Sequence, residues 1–391
     1  MTEKDFRRAA GTALLAVLAA CGADAEGDAA ATPTGDTAAL AAGDTAAAAP
    51  GAPASDVPAG PTTDLPPNEL GRILVLEYHR LGQNEGEWIR SPANFRRDLQ
   101  RLYEAGYRPV LMRDVAEGNI DIPAGTSPVV FTIDDSSLGQ FYLREDGSID
   151  PNTMVGMWDA FQRENPAWHY GGVWCVLPAA DHPSNFFGER ASREVPREQR
   201  ESTIRRKMEY LVENRHEICN HTLYHARLDR ARDDAQVQEW IGVGQDSIKA
   251  YLPDDYEIVT FALPLGMWPR NRELAWRGTY RDGRTYQHTT ILEVTGGPSV
   301  SPFHREWDPR SVDRFIVAPN ALERQLERWE QNPANRYVSD GDPRTVTYPA
   351  SMAQHLDRNR LNGRQAREIP DAQPASAQAP AQGQAPPAGS R

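Results

Sequence analysis

Cysteine is scarce in this chain. Cys21, Cys175 and Cys219 are the only three in 391 residues, too few for a disulfide framework. No run reaches the roughly 18 apolar residues of a membrane span, which excludes a polytopic membrane protein. Positive charge is short as well: 42 Lys and Arg stand against 55 Asp and Glu, for a net charge of −13. The basic footprint of a nucleic-acid binder is therefore missing. From Gly22 to Asn68 there is no aromatic residue and no Lys or Arg, and Leu40, Val57 and Leu65 are the only larger aliphatics. Seven of the negative charges (Asp24, Glu26, Asp28, Asp36, Asp44, Asp56 and Asp64) lie in this stretch, and −13 less those seven leaves −6 for the rest.

What is present divides the chain into four parts. Arg7 and Arg8 precede an apolar run from Ala9 to Ala20, the pattern of a secretory signal. Leu18-Ala19-Ala20-Cys21 resembles a bacterial lipobox, in which cleavage before the cysteine leaves it to receive lipid. The expectation is a signal over 1–20, with acyl chains at Cys21 holding a water-soluble part to the membrane surface. The competing reading is an ordinary signal peptide with a chance cysteine, or a short core helix. Residues 21–68 cannot bury enough surface to offset their ordering entropy and read as a disordered tether. Residues 69–350 hold all nine Trp and all thirteen Tyr and read as one large domain. Residues 351–391 read as a helix remnant followed by a disordered Pro/Ala/Gln tail.

Within 69–350, short apolar runs alternate with amphipathic stretches. Strands are expected at Ile73–Leu76, Val129–Ile133, Val173–Leu177, Glu217–Cys219, Ile258–Leu263, Thr289–Val294 and Phe315–Ala318. Helices are expected at Pro92–Ala105, from Asp150-Pro151 as cap and first turn through Phe161, at Pro196–Asn214, at Gln236–Leu252 and at Leu322–Gln331. Repeated β–α units of this size argue for a parallel α/β barrel or an open doubly wound sheet. No Gly-rich phosphate loop follows any of these strands, so the dinucleotide-binding version loses support.

The chemistry-bearing residues follow strand ends. Asp134-Asp135 closes the strand Val129–Ile133, and two adjacent carboxylates repel each other unless a cation or a shared proton intervenes. The competing reading is a pair capping the turn Asp135-Ser136-Ser137. His221-Thr222-Leu223-Tyr224-His225 follows the strand Glu217–Cys219. Histidines four apart share one face of a helical turn and reach one metal. Thr222 rather than Glu follows the first His, so this is not the metalloprotease helix. With one aspartate the two histidines make the three-ligand set of a catalytic zinc site with an open fourth position. The second aspartate is then free to act as general base.

These segments resemble a known family. Phe131-Thr132-Ile133-Asp134-Asp135-Ser136 is similar to the T-F-D-D-G motif of the polysaccharide deacetylase (NodB-homology) family. Ile218–His225 resembles its H-[ST]-x-x-x-H motif, and Phe261-Ala262-Leu263-Pro264-Leu265-Gly266 its R-x-P-Y-G motif. Tyr78-His79 after the first strand recurs in many members. The resemblance spans about 73–320 and implies a single distorted (β/α)7 barrel that hydrolyses acetyl groups from N-acetylated, or in some branches O-acetylated, carbohydrate polymers. It implies Asp134 as catalytic base, Asp135, His221 and His225 as ligands of a divalent metal (Zn2+ first, Co2+ or Mn2+ otherwise), and the backbone N–H of Leu265 as oxyanion donor.

The chain departs from the family at three points. Ser136 replaces Gly, Ala262 stands where the family has the Arg that orients the catalytic Asp, and the late L-x-L-x-H motif with its general acid is missing. His79, His288 and His304 are candidates for that acid or for the mouth of the site; surface, loop or structural roles compete in each case. His169, His182, His216 and His355 carry no motif. Cys175 and Cys219 lie on neighbouring parallel strands and are expected as buried free thiols, with a bridge outside the cytoplasm as the competing reading. Trp158, Trp168, Trp174, Trp268, Trp276 and Trp307 are expected mostly as core or rim residues, with a sugar-stacking platform among them as the competing reading. Ser137–Ser148 is expected as an insertion over the barrel mouth, with a solvent-exposed decoration as the competing reading. The reading is an exported, envelope-anchored carbohydrate deacetylase with no nucleic-acid partner. Two alternatives stay open: a glycan-binding lipoprotein that lost catalysis, and a metal amidohydrolase acting on a non-sugar amide.

Overall fold

The computed structural model describes residues 59–189, 196–294 and 296–372. The signal and lipobox, most of the tether and the last nineteen residues lie outside the described residues.

The sheet strands are β1 (Leu74–Tyr78), β2 (Tyr107–Pro109), β3 (Ser127–Ile133), β4 (Val173–Val176), β5 (Glu217–Asn220), β6 (Thr260–Ala262), β7 (Thr290–Leu292) and β8 (Phe315–Ile316). The helices that matter here are α1 (Pro92–Glu104), α2 (Met112–Glu117), α3 (Met154–Glu164), α4 (Arg197–Glu213), α5 (Asp234–Lys249) and α6 (Ala321–Gln331). Every strand pair in the sheet is parallel, and seven strands run in the order β7-β6-β5-β4-β3-β1-β8. Strand β2 pairs with the first half of β3. The segment entering β8 closes the ring. Val312 bridges Leu292 of β7 in parallel, and three residues later Phe315 pairs with Leu76 of β1. The expected distorted (β/α)7 barrel is what the chain forms.

Side chains alternate across a strand, and that parity sorts the sequence into two layers. Leu74, Leu76, Val129, Phe131, Ile133, Trp174 and Ile218 face outward into a core shared with the helices. Val75, Val130, Val173, Cys175, Cys219, Ala262 and Leu292 face inward. At the C-terminal ends of the strands the inward positions turn polar: Glu77, Asp134, His221 and, one residue before β8, Arg314. Burial of the apolar rows at about 25 cal/mol per Å2 holds the barrel. The inward polar positions are retained at a cost in stability.

Several element boundaries move. Thr153, not Asp150, caps α3, its side chain accepting from the Gly156 N–H at 3.2 Å; Asp150-Pro151 forms the preceding turn. Helix α5 starts at Asp234 behind an Asp233 cap. The ordered domain also continues past 350: Thr345–Pro349 pairs in parallel with Gln365–Ile369, around Leu70, Phe303, Val346 and Tyr348. At its start, Thr63 donates to Gly125 O at 2.9 Å and Asn68 to Val338 O at 2.8 Å. The last residues of the expected tether are therefore part of the fold.

Cys175 and Cys219 are disulfide-bonded, with Cα atoms 4.2 Å apart, which corrects the expectation of free thiols. They are register partners on β4 and β5 and both face inward. The concave face of a curled sheet brings opposite Cβ atoms together, a geometry that flat neighbouring strands do not offer. The 137–148 insertion also sits elsewhere than expected. Phe141 is buried in the outer core, and its carbonyl accepts from the buried Lys207 ammonium of α4 at 2.9 Å, while Arg206 reaches Gly147 O at 2.8 Å. The insertion is clamped to α4 on the outside of the barrel.

Candidate active site

Asp134 and Asp135 leave β3 on a backbone that goes left-handed at once, with φ of 76° at Asp135 and 40° at Ser136. Positive φ costs a non-glycine residue energy and needs support from its surroundings. Support comes from Ser136 itself. Its Oγ accepts the Leu177 N–H at 3.0 Å, and its carbonyl accepts from Phe187 at 2.8 Å. This conformation is the physical reason a glycine suits the position, and the two hydrogen bonds let serine occupy it.

The histidine pair is held differently from the expectation. Residues 221–225 form an irregular turn, not a helix, with Thr222 and His225 left-handed at φ 69° and 62°. Three contacts fasten it to α5: Leu223 N–H to Trp240 O at 2.9 Å, Asn220 Nδ2 to Ile241 O at 3.1 Å, and the bare backbone face of Gly244. A Cβ on Gly244 would lie 2.8 Å from the backbone of Thr222 and Leu223, so only glycine allows this approach.

Asp135 Oδ1 lies 3.7 Å from His221 Nε2 and 3.6 Å from His225 Nε2, and the three atoms lie within 4.8 Å of one another. Ligands about 2.1 Å from a tetrahedral ion stand roughly 3.4 Å apart, so the set fits a divalent cation. The side chain of His221 adds an independent sign. Its Nδ1 is 2.9 Å from Ala262 O, which fixes the tautomer that leaves Nε2 bare. That buried Nε2 has no hydrogen-bond partner within the protein. Burial lowers the His221 pKa to about 4, against the pull of Asp134, so the imidazole is in its neutral, ligating form.

Asp134 is not part of this set. The Arg314 guanidinium grips it with two hydrogen bonds, Nη1 to Oδ1 at 2.9 Å and Nη2 to Oδ2 at 3.0 Å. Burial pushes the Asp134 carboxyl up, but Arg314, aided by His221 and His79, overrides it and holds the group well below the usual carboxylate range. Arg314 also donates to Glu293 O and to Thr132 Oγ1 at 2.6 and 3.1 Å, and lies 3.1 Å from Glu77 Oε1. Burial raises the Glu77 pKa, with Arg314 opposing. Glu77, His79 and Asp134 form a second group of close ligand atoms, and the guanidinium already serves both of its carboxylates.

Ala262 offers Asp134 no charged partner, and Arg314, in the lead-in to β8, supplies one. Sequence reasoning passed over both Arg314 and Glu77. The available signal was parity: each is a charged residue at an inward position of an otherwise apolar strand or its lead-in. Of the three histidines considered for the acid or the mouth, only His79 is at the site. Its Nε2 is 4.0 Å from Asp134 Oδ2 and 3.8 Å from Glu77 Oε1. Burial lowers its pKa to about 4. His288 is fully buried, its Nδ1 2.9 Å from Ala275 O and its ring stacked on Phe261. His304 stacks on His355, with ring centres 4.9 Å apart. Neither lines the cavity.

That cavity, of about 280 Å3, is lined by Glu77, His79, Arg80, Trp88, Asp134, Asp135, His221, His225, Leu265 and Val294. Its only tryptophan is Trp88, whose ring meets His79 edge-on at 4.7 Å and which the sequence reading did not consider. Trp158, Trp168, Trp174 and Trp307 are buried. Trp268 and Trp276 are covered by the Arg272 and Arg310 guanidinium groups. Leu265 is half exposed, with φ of 58°.

No protein-family model matches this sequence, and no curated protein matches it. Among solved structures it is similar to the Streptococcus pyogenes deacetylase PplD in complex with acetate, at 16% identity and a TM-score of 0.46 over 66% of this chain and 97% of that one. It is similar to IcaB from Ammonifex degensii at 15% identity and a TM-score of 0.45, over 66% and 96% of the two chains. BC0361, a polysaccharide deacetylase from Bacillus cereus, matches at 14% identity and a TM-score of 0.45, over 66% and 68%.

Proposed function

We propose that this chain is a metal-dependent hydrolase of the polysaccharide deacetylase type, removing acetyl groups from acetylated carbohydrate at the cell envelope. One observation carries the reading. Two imidazoles and a carboxylate converge on a shared point beside a second carboxylate that a buried arginine keeps ionised and out of the ligand set. A glycan-binding protein has no use for that division of labour.

Asp135, His221 and His225 would hold the ion, zinc being our choice for a set of two His and one carboxylate. A divalent ion there supplies Lewis acidity, polarising a carbonyl and bringing the pKa of water to about 7. The chain's own groups do the rest. Asp134 accepts a proton from the attacking water as the C–O bond forms. His79, neutral at rest and 4.0 Å from Asp134, passes that proton to the departing nitrogen as the C–N bond breaks. The products are acetate and a free amine. The backbone N–H of Leu265 is assigned to the charge developing on the acetyl oxygen. The Cys175–Cys219 bridge supports export, because such bonds persist mainly in oxidising compartments. The lipid anchor at Cys21 stays part of the proposal, and no helix among the described residues is long and apolar enough to cross a membrane.

The test is metal analysis of the purified chain together with acetate release from N-acetylglucosamine oligomers. Bound metal with acetate supports the proposal. Absence of metal favours the binding protein, and metal without acetate from any glycan favours the non-sugar amidohydrolase.

A further inference from the structure

One residue of the 137–148 insertion reaches the backbone of the site. Strands β1 and β3 are in register up to Tyr78 and Ile133. They share one more rung, Asp134 N–H to Tyr78 O at 2.9 Å, and the next carbonyls belong to His79 and Asp134. Gln140 joins these two. Its Nε2 donates to His79 O and to Asp134 O, each at 2.6 Å. A carboxamide NH2 carries two hydrogens, one for each carbonyl, and the flipped amide would set three oxygens against one another. Its Oε1 is buried without a hydrogen-bond partner, so the amide acts here through its donors. The side chain is fully buried, and the Gln140 backbone is held on both sides. Its N–H donates to Ser137 O and its carbonyl accepts from Val155 N–H of α3, each at 3.0 Å. Lys207 pins the carbonyl of the next residue, Phe141, at 2.9 Å.

The bridge matters unequally to the two residues it joins. The Asp134 carboxylate is oriented by the Arg314 fork, at 2.9 and 3.0 Å, independently of its own carbonyl. The His79 ring has no such hold. Its Nδ1 is buried without a hydrogen-bond partner. Its Nε2 stands 4.0 Å from Asp134 and 3.8 Å from Glu77, beyond hydrogen-bond length, and Trp88 meets the ring edge-on. Where the ring sits is therefore set by its backbone, which has already left β1, and the Gln140 amide ties that backbone to Asp134. A displacement of about 1 Å between reacting groups can cost roughly a hundredfold in rate.

We propose that Gln140 is a positioning residue: by tying the His79 and Asp134 carbonyls together, it holds the His79 ring where the departing nitrogen receives its proton. The inference rests on the deacetylase reading and adds a residue to it. Two acetyl substrates separate the proton transfers. An amine leaves N-acetylglucosamine oligomers only as a proton reaches nitrogen and the C–N bond breaks, whereas the phenolate of nitrophenyl acetate departs with the bonding pair and needs no proton. In metal-loaded Gln140→Met, kcat on the oligomer is expected to fall roughly ten- to a hundredfold, with KM, metal content and the rate on the aryl ester close to wild type. Adding Gln140→Met to His79→Gln is expected to cost nothing further on the oligomer, because the two changes remove one function. Gln140→Glu, equal in size but without the paired donors, is read in the same way where the Met variant does not fold. Equal losses on oligomer and ester, additive losses with His79→Gln, or an oligomer rate equal to wild type overturn the proposal and leave the deacetylase reading in place. Wild-type protein that releases no acetate from any glycan overturns both.

Discussion

At the scale of single residues, two carboxylates one position apart have opposite assignments because different partners meet them. Asp134→Asn removes the proposed proton acceptor and leaves the proposed ligands Asp135, His221 and His225 intact. We expect turnover to fall by about 10²–10⁴-fold with metal content unchanged, read by acetate release and metal analysis on one sample. His225→Ala takes away a proposed ligand, so metal and activity are expected to disappear together. Arg314→Met leaves Asp134 and Glu77 buried without their counter-charge. Breaking a buried pair in this way costs about 3–5 kcal/mol, and denaturant unfolding measures it. Arg314→Lys keeps the charge but loses the two-pronged grip on Asp134. Its expected signature is a stability nearer wild type with a reduced kcat; a kcat equal to wild type would show that the fork geometry is dispensable.

At the scale of elements, the site depends on how β5 is seated. The Cys175–Cys219 bond ties it to β4 two residues before His221, and α5 lies flush on the turn that follows. Replacing both cysteines by alanine is expected to cost about 2–4 kcal/mol and to weaken metal binding, followed by denaturant midpoint and metal titration. Thiol titration of the unfolded, unreduced domain is expected to find no free Cys175 or Cys219. How far the sequence reveals such detail depends on the range of the interaction. The strands Val129–Ile133, Val173–Leu177 and Glu217–Cys219 were legible because buried parallel strands read as apolar runs, and the Asp-Asp and His-x-x-x-His placements followed from their ends. The curl that joins the cysteines, the turn that replaces a helix at 221–225 and the docking of 137–148 on α4 all depend on contacts distant in sequence. No local pattern encodes them. Glu77 and Arg314 fall between these cases: strand parity marks them as inward, but only the closed ring brings them together.

At the scale of the whole molecule, buried titratable groups set the pH response. Burial holds His79, His216, His221 and His288 near 4, 3, 4 and 4, against 6.5 when free. The unfolded chain takes up protons below pH 6.5 that the folded chain refuses, so stability is full above that value and falls as the pH drops toward 4. Glu69 acts in the opposite sense. Burial raises it from 4.5 to about 8, so its contribution is present below pH 4.5 and is lost as the pH climbs toward 8; Glu77 shifts the same way. Burial raises Asp98, Asp114, Asp159 and Glu217 as well and lowers His169 and His304, so carboxyls and histidines oppose each other between pH 4.5 and 6.5, and above 6.5 Glu69 and Glu77 prevail. Denaturant midpoints of metal-free protein, measured with a chelator present, are expected to fall as the pH climbs from 6.5 toward 8. A rise over that range would contradict the burial of Glu69.

Arg314 reaches Asp134 across 180 positions of sequence, in the segment that joins the two edges of the ring. During synthesis a nascent chain exposes both aspartates and both histidines long before that segment leaves the ribosome. Until it arrives, Asp134 is a solvated carboxylate with no two-pronged donor to fix its orientation. On the proposed mechanism, no competent site forms before the segment carrying Arg314 has been made.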